Sequence, residues 1–254
     1  MLSRERQSVI SQRLKSNGKV VAADLAVEFG VSEDTIRRDL REMAAAGVCE
    51  RVYGGALLPS PPVPIARRLA ETTRSKAALG RAVARLLPEN ASVFVDAGAT
   101  NRAAMELFPK DRKLTVTTNA PHIAAALSDH ENIDLIVIGG KVDFHVGASL
   151  GAQALIEISR LNFDIHLFGV CALDVASGLT VQSFEEMTLR CAVAEQADRI
   201  IAPVSNEKLG QRAAFNTVAL DERVTIITEY DASEEISAGL SSIGAAIIRA
   251  EPDQ

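Results

Sequence analysis

Val31-Ser32-Glu33-Asp34-Thr35-Ile36-Arg37-Arg38-Asp39-Leu40 is the stretch on which the reading of this 254-residue chain turns. It follows a helix-like segment, residues 22–29, across a single Gly30. Ile36, Leu40, Met43 and Gly47 stand at i, i+4, i+7 and i+11, the spacing of one helix face. Ser32 before Glu33 and Asp34 supplies a hydroxyl cap followed by acids, which suits the positive end of a helix dipole. Burying the apolar face leaves Ser32, Glu33, Thr35, Arg37, Arg38 and Arg41 outward. A helix-turn-helix presents its second helix to the major groove of DNA in this way. An arginine near the start of such a helix can bond both acceptors of a guanine, worth about 1–3 kcal/mol of discrimination.

On the amino-terminal side, residues 3–16 read as a helix with Val9, Ile10 and Leu14 on one face, Ser3 as cap and Gly18 as stop. Residues 22–29 bring Ala22, Leu25, Ala26 and Phe29 together. On the other side, residues 48–53 read as a strand, Gly54-Gly55 as a turn and residues 56–58 as a returning strand. Three helices and a hairpin make a winged helix, with Arg51 in the wing placed to meet a phosphate.

Residues 59–64 hold four of the nine prolines and behave as a stiff spacer. The domain organisation expected is therefore a winged helix-turn-helix over 1–58, a linker and the start of a connecting helix over 59–74, and a larger domain over 75–254. One long helix is expected at about 66–87. Net charge is −6, yet residues 1–58 carry +1 and the remainder −7. DNA affinity follows local basic clusters, here Arg37, Arg38, Arg41 and Arg51, rather than the total.

From Ser92 onward, short apolar runs alternate with helix-like segments: 92–95, 114–117, 135–138, 165–170, 200–204, 224–228 and 245–248. Runs apolar on both faces indicate a mostly parallel sheet covered by helices, hence an α/β fold. Ligands of such sheets bind beyond the carboxyl ends of the strands. Three polar loops fall there: Asp96-Ala97-Gly98-Ala99-Thr100-Asn101, where free N–H groups at a helix start attract phosphate; Thr117-Thr118-Asn119; and Gly139-Gly140-Lys141. Further on stand Gly178-Leu179-Thr180, Glu185, Glu186 and Arg190, then Lys208-Leu209-Gly210. Glu186 and Arg190 are four apart on a helix, the spacing of a surface ion pair.

Cys49, Cys171 and Cys191 are too scattered for a disulfide framework, and the four histidines form no ligand-spaced pair, so neither metal nor cofactor is expected. No run approaches the roughly 20 apolar residues that cross a bilayer, and the amino terminus has no apolar leader core; a cytoplasmic protein is expected.

Residues 4–56, ending Glu50-Arg51-Val52-Tyr53-Gly54-Gly55-Ala56, resemble the DNA-binding domain of the DeoR family of bacterial transcription regulators. The run from Val31 to Leu40 carries the family's signature. Val21 stands where the family usually has a capping Ser or Thr, and Tyr53 where it usually has His. Residues 75–230 resemble the DeoR effector domain, whose fold is similar to ribose-phosphate isomerases and coenzyme A transferases. Ala99 replaces a usual hydroxyl residue, Ser205 a usual Asp, and Arg190 a usual Lys. The resemblance implies a DNA-binding repressor of a carbohydrate or related operon, released by a phosphorylated metabolite. It implies DNA contacts through Ser32, Thr35, Arg37, Arg38, Arg41, Arg51 and Tyr53. Effector contacts are implied at Asp96, Gly98, Ala99, Thr100, Thr118, Asn119, Gly139, Gly140, Lys141, Gly178, Glu185, Arg190 and Lys208. Its partners would be a double-stranded operator, the effector and further copies of itself, as a dimer or tetramer, because two-fold sites are read by paired helices. Two rival readings differ in class: a sugar-phosphate isomerase-like enzyme with a DNA-binding appendage, using Asp96, Glu185 or Glu186 as base, and a constitutive DNA binder without a ligand.

Overall fold

The computed structural model describes residues 2–17, 19–46, 48–52, 54–57, 63–71 and 73–252. They form two compact units that divide between Pro61 and Pro62. The expected stop at Gly18, the face position Gly47, the wing residue Tyr53 and most of the proline run lie outside the described residues.

The first unit contains α1 (Ser3–Asn17), β1 (Lys19–Val21), α2 (Ala22–Phe29), α3 (Glu33–Ala45), β2 (Glu50–Val52) and β3 (Gly55–Leu57). Ile10, Leu14, Leu25, Ile36, Leu40 and Met43 bury together as its core. Gly30 ends α2 in the left-handed conformation and Ser32 caps α3, accepting the Thr35 N–H at 3.3 Å. Ser3, expected as a cap, instead donates its hydroxyl to Asp39 at 2.8 Å. β1, which the pattern did not suggest, pairs antiparallel with β3 in the order β1-β3-β2. That pairing compensates α2: Val21 offers no side-chain cap, and the Ala22 N–H is taken by the Gly54 carbonyl at 2.7 Å.

The second unit opens with α4 (Ile65–Ala70) and α5 (Arg74–Leu86) in place of the one helix expected. The break lies at Thr73, which is extended and whose side chain accepts the Lys76 N–H, starting a new helix. There follow β4 (Ser92–Val95), α6 (Ala99–Glu106), β5 (Leu114–Thr118), α7 (Pro121–Ala126), β6 (Ile133–Val137), β7 (Val142–Asp143), β8 (Ala148–Ser149), α8 (Ala152–Ile158) and β9 (Phe163–Leu167). Next come β10 (Ala172–Asp174), β11 (Gly178–Val181), α9 (Phe184–Glu195), β12 (Ala197–Val204), a 3-10 turn (Asn206–Lys208), β13 (Phe215–Val218), β14 (Val224–Thr228), α10 (Glu234–Ser242) and β15 (Ala246–Arg249).

The seven apolar runs became one wholly parallel sheet, ordered β15-β14-β12-β9-β4-β5-β6. Alternation decides its faces. Val93, Val95, Val116, Leu167 and Ile201 meet α5, α6 and α7, whereas Phe94, Phe163, Leu189 and Val193 meet on the side of α8 and α9. A second, antiparallel sheet, β10-β11-β13, packs with Ile200, Ala202 and Ile226. β7 and β8 form a small ribbon.

Candidate functional site

The outward face of α3 is as its periodicity requires. Arg37, Arg38 and Arg41 are exposed, while Ile36, Asp39, Leu40 and Met43 are buried. Arg37 lies 2.9 Å from Glu33 and Arg38 3.6 Å from Glu42, both i,i+4 pairs in solvent that are worth a few tenths of a kcal/mol and give way readily to a phosphate or a base. The Ser32 and Thr35 hydroxyls lie 3.0 Å apart. Arg51 is exposed on β2. Behind this face Asp39 forms a buried ion pair with Arg6 of α1. Burial pushes the Asp39 carboxyl up, but the bonds from Arg6, Ser3 and Gln7 outweigh it and hold the pKa below the ordinary value.

In the second unit, strand ends bring a polar network into the interior. Asp96, just beyond β4, accepts from His166 Nε2 at 3.0 Å and from the Gly169 N–H at 2.9 Å, and Arg190 Nε stands 3.3 Å away. Arg190 also pairs with Glu186 at 3.0 Å, donates to the Gly169 carbonyl at 2.5 Å and lies over the Phe168 ring. Both members of the Glu186–Arg190 pair are buried, which corrects the expected surface pair. Gly169 is required: a Cβ there would come 2.4 Å from the Ala97 carbonyl and 3.3 Å from Arg190 Nη2. Burial opposes charge on Asp96, yet Arg190, His166 and the Gly169 N–H hold its pKa below the ordinary range. Burial likewise opposes charge on Arg190, and Asp96 with Glu186 overcomes it. Asp96, Asn119, Glu186 and Arg190 surround a cavity of about 10 Å³, room for about one water. Asn119 is 2% exposed and donates to the Ser149 carbonyl at 2.9 Å; its Oδ1 has no protein partner among the described residues.

Around this network lies a more open rim. Gly98, Ala99 and Thr100, half-buried, start α6, and the Gly98 N–H points to His122 Nε2 at 3.4 Å. Burial, with Arg102 and Arg68 nearby, pushes the His122 pKa down to about 4, so the ring is neutral. Lys208, half-buried in the 3-10 turn, is pushed down chiefly by burial, with Arg68 and Lys76 adding to it. The other expected residues divide between buried and exposed positions. Thr118 is fully buried, its hydroxyl spent on the Val95 carbonyl and the Ala120 N–H. Gly139, Gly140 and Lys141 are exposed, as is Glu185, so Glu186 is the acid that faces Arg190. Gly178 opens β11 in the antiparallel sheet. A depression of about 330 Å³ at the opposite, amino ends of the strands is lined by Asp164, Glu195 and Asp198, a poor seat for an anion.

Residues 6–61 match the model of the DeoR-like helix-turn-helix domain, and residues 71–230 that of the DeoR C terminal sensor domain. The chain belongs to the DeoR family. It is 31% identical to the HTH-type transcriptional regulator GlpR of Haloferax volcanii, over 96% of this chain and 98% of that protein. To the Glycerol-3-phosphate regulon repressor of Escherichia coli it is 30% identical, over 85% of this chain and 86% of the other. A solved structure of ribose 5-phosphate isomerase A from Methanocaldococcus jannaschii aligns with 53% of each chain at a TM-score of 0.39 and 11% identity.

This DeoR-family chain is thus a DNA-binding transcriptional regulator with a sensor domain. Its sequence concealed several polar groups of both units. Asp39 stood in plain sight inside the signature run, but its partner Arg6 is 33 residues away. His166 lies in an apolar strand and reaches Asp96 across 70 positions. His122 and Arg68 sit in no motif; His122 is the one polar residue of its short helix, and nothing local distinguishes Arg68 from its neighbour Arg67. Among the described residues, no group of His, Cys, Asp and Glu could hold a metal ion, and no helix is long and apolar enough to cross a membrane.

Proposed function

We propose that this regulator is a repressor whose DNA affinity is set by a small phosphorylated metabolite bound at the carboxyl ends of β4, β5 and β9. The buried Asp96–Arg190–Glu186 network carries the reading. It holds a cation and a carboxylate rigidly at the place where open α/β sheets receive ligands, beside the start of α6. A bound metabolite would set its hydroxyls against Asp96, Asn119 and Glu186. Its phosphate would lie close to the Gly98 backbone and against the first N–H groups of α6, at Ala99 and Thr100, with Lys208 adding charge. Relatives named as repressors, one of a glycerol-3-phosphate regulon, support the class of operon and ligand. In the cell the chain would act in the cytoplasm as a dimer or tetramer, pairing two α3 helices on a two-fold operator, with Ser32, Thr35, Arg37, Arg38, Arg41, Arg51 and Tyr53 at the DNA.

Binding rather than proton abstraction suits the network. Asp96 already accepts two hydrogen bonds beside a guanidinium and is held ionised, a weak base. Thermal melts of the full chain with glycerol 3-phosphate, ribose 5-phosphate, glucose 6-phosphate and fructose 6-phosphate test the reading. A true effector at 100 times its Kd adds about 2.7 kcal/mol of stability. Unphosphorylated sugars should add none, and a panel that leaves every melt unmoved would refute the site.

A further inference from the structure

We infer that Arg68 on α4, the first helix after the linker, is itself a ligand of the anionic group of the effector, so that the bound anion straps the linker's end to the sensor unit. This rests on the effector reading above and adds to it a residue and a consequence.

α4 lies in a fitted seat. The Ile65 N–H donates to the His145 carbonyl at 3.0 Å, and Arg68 Nη2 reaches the same carbonyl at 3.3 Å. The Ile65 side chain is buried over Gly147, where a Cβ would come 2.5 Å from Ile65 Cγ2 and where φ is +82°. At its far end Lys76 Nζ donates to the Arg68 and Glu71 carbonyls, at 3.0 and 2.6 Å, which supplies partners for carbonyls a helix end leaves open. The seat orients Arg68 inward, whereas its neighbour Arg67 points out to Glu71, 3.7 Å away.

Arg68 is poorly satisfied there. Its Nε is buried with no partner, and among the described residues it forms no ion pair. Its charge is felt by His122 and Lys208, and it in turn feels Arg190 and Glu186. Of the carboxylates in that company, Glu186 is already committed to Arg190 and Glu207 acts on Lys208. Arg68 thus brings a guanidinium without an ion pair among the described residues next to His122, whose ring meets the Gly98 N–H at the start of α6. A phosphate or carboxylate there would accept from Arg68 Nε and from Lys208 Nζ, and a planar guanidinium is suited to a bidentate contact with such a group.

The consequence is mechanical. α4 follows directly on the proline spacer, so a ligand that holds Arg68 restrains the point from which the linker to the DNA-binding unit departs. Such a ligand favours the conformations in which α4 is seated, by its differential affinity for them.

The test uses the full chain with inorganic phosphate and the four-member phosphate-ester panel, read by calorimetry and by hydrogen exchange of residues 63–71. Wild type should bind at least one probe, and that probe should slow exchange of the Ile65 amide. Arg68→Gln should weaken binding roughly ten- to hundredfold, as loss of a charge-assisted hydrogen bond does, and abolish the protection. Arg68→Lys should restore part of the affinity, and the outward Arg67→Gln should change neither readout. Melts without ligand identify any variant that is simply misfolded, and Arg68→Lys then carries the comparison. If Lys208→Gln weakens binding while Arg68→Gln binds and protects as wild type does, the strap is wrong and the effector site stands. If no probe binds wild type, both fall.

Discussion

Asp39 shows how one residue inside a recognition helix can matter without touching DNA. It is 2% exposed and paired with Arg6, which is itself buried. Asp39→Ala would leave that guanidinium in the core without its carboxylate, a loss of about 3–5 kcal/mol, measurable as an earlier urea transition of the first unit. A transition unmoved by the change would mean that the pair contributes nothing. Arg37 and Arg38 make the opposite prediction, because both are exposed. Arg37→Ala or Arg38→Ala should leave melting unchanged and reduce the preference for operator over scrambled DNA by about 1–3 kcal/mol, read from competition binding. His122 predicts a pH dependence. Its ring titrates at 6.5 in a free chain and at about 4 in the fold. Between those values the unfolded chain binds more protons, so this contribution is complete above about pH 6.5 and is lost as pH falls towards 4. A melting series from about pH 7.5 to about 4.5 should fall less steeply for His122→Gln than for wild type.

At the scale of elements, α2 lacks a side-chain cap because Val21 stands at its N-cap in an extended conformation, φ −107° and ψ 129°. Val21→Thr should therefore stabilise the chain by about 0.5–1 kcal/mol in urea unfolding; a loss would show that the β1–β3 pairing had already met the need. The elements also show what periodicity conveys. The seven apolar runs were readable as strands because each is short and rich in β-branched and other apolar residues, although the edge strands β6 and β15 are largely exposed, and the three amino-terminal helices because their apolar residues recur at helical spacing. β10, β7 and β8 escaped because strands of two or three residues, such as Ala172–Asp174 and Val142–Asp143, have no room for a pattern, whereas the equally short wing strands were marked by the Gly54-Gly55 turn between them. The α4–α5 break escaped because it depends on one cap, Thr73, inside a run most of whose residues favour helix. In the candidate sites, loop residues beyond strands were readable in place, as Asp96 was. Arg68, His122 and His166 were not, since only the tertiary fold brings them to the network. Between Glu185 and Glu186, one step along a helix separates an exposed acid from a buried one, and nothing local to the sequence chooses.

At the scale of the whole molecule, the chain joins a basic reading surface to an acidic unit, +1 against −7, through a proline-rich spacer. That division keeps the attraction for DNA phosphates local to the first unit. A regulator of this build works only if its effector prefers one arrangement of the two units over the other, since equal affinity for both shifts nothing. Fluorescence anisotropy of a labelled fragment from the DNA flanking its own gene, titrated with the full chain, measures that coupling directly. With the phosphate ester that raises the melting temperature present at saturation, the chain should bind the fragment at least about tenfold more weakly, a coupling of about 1.4 kcal/mol. An unchanged DNA affinity, with the ester shown to be bound, would contradict the switch.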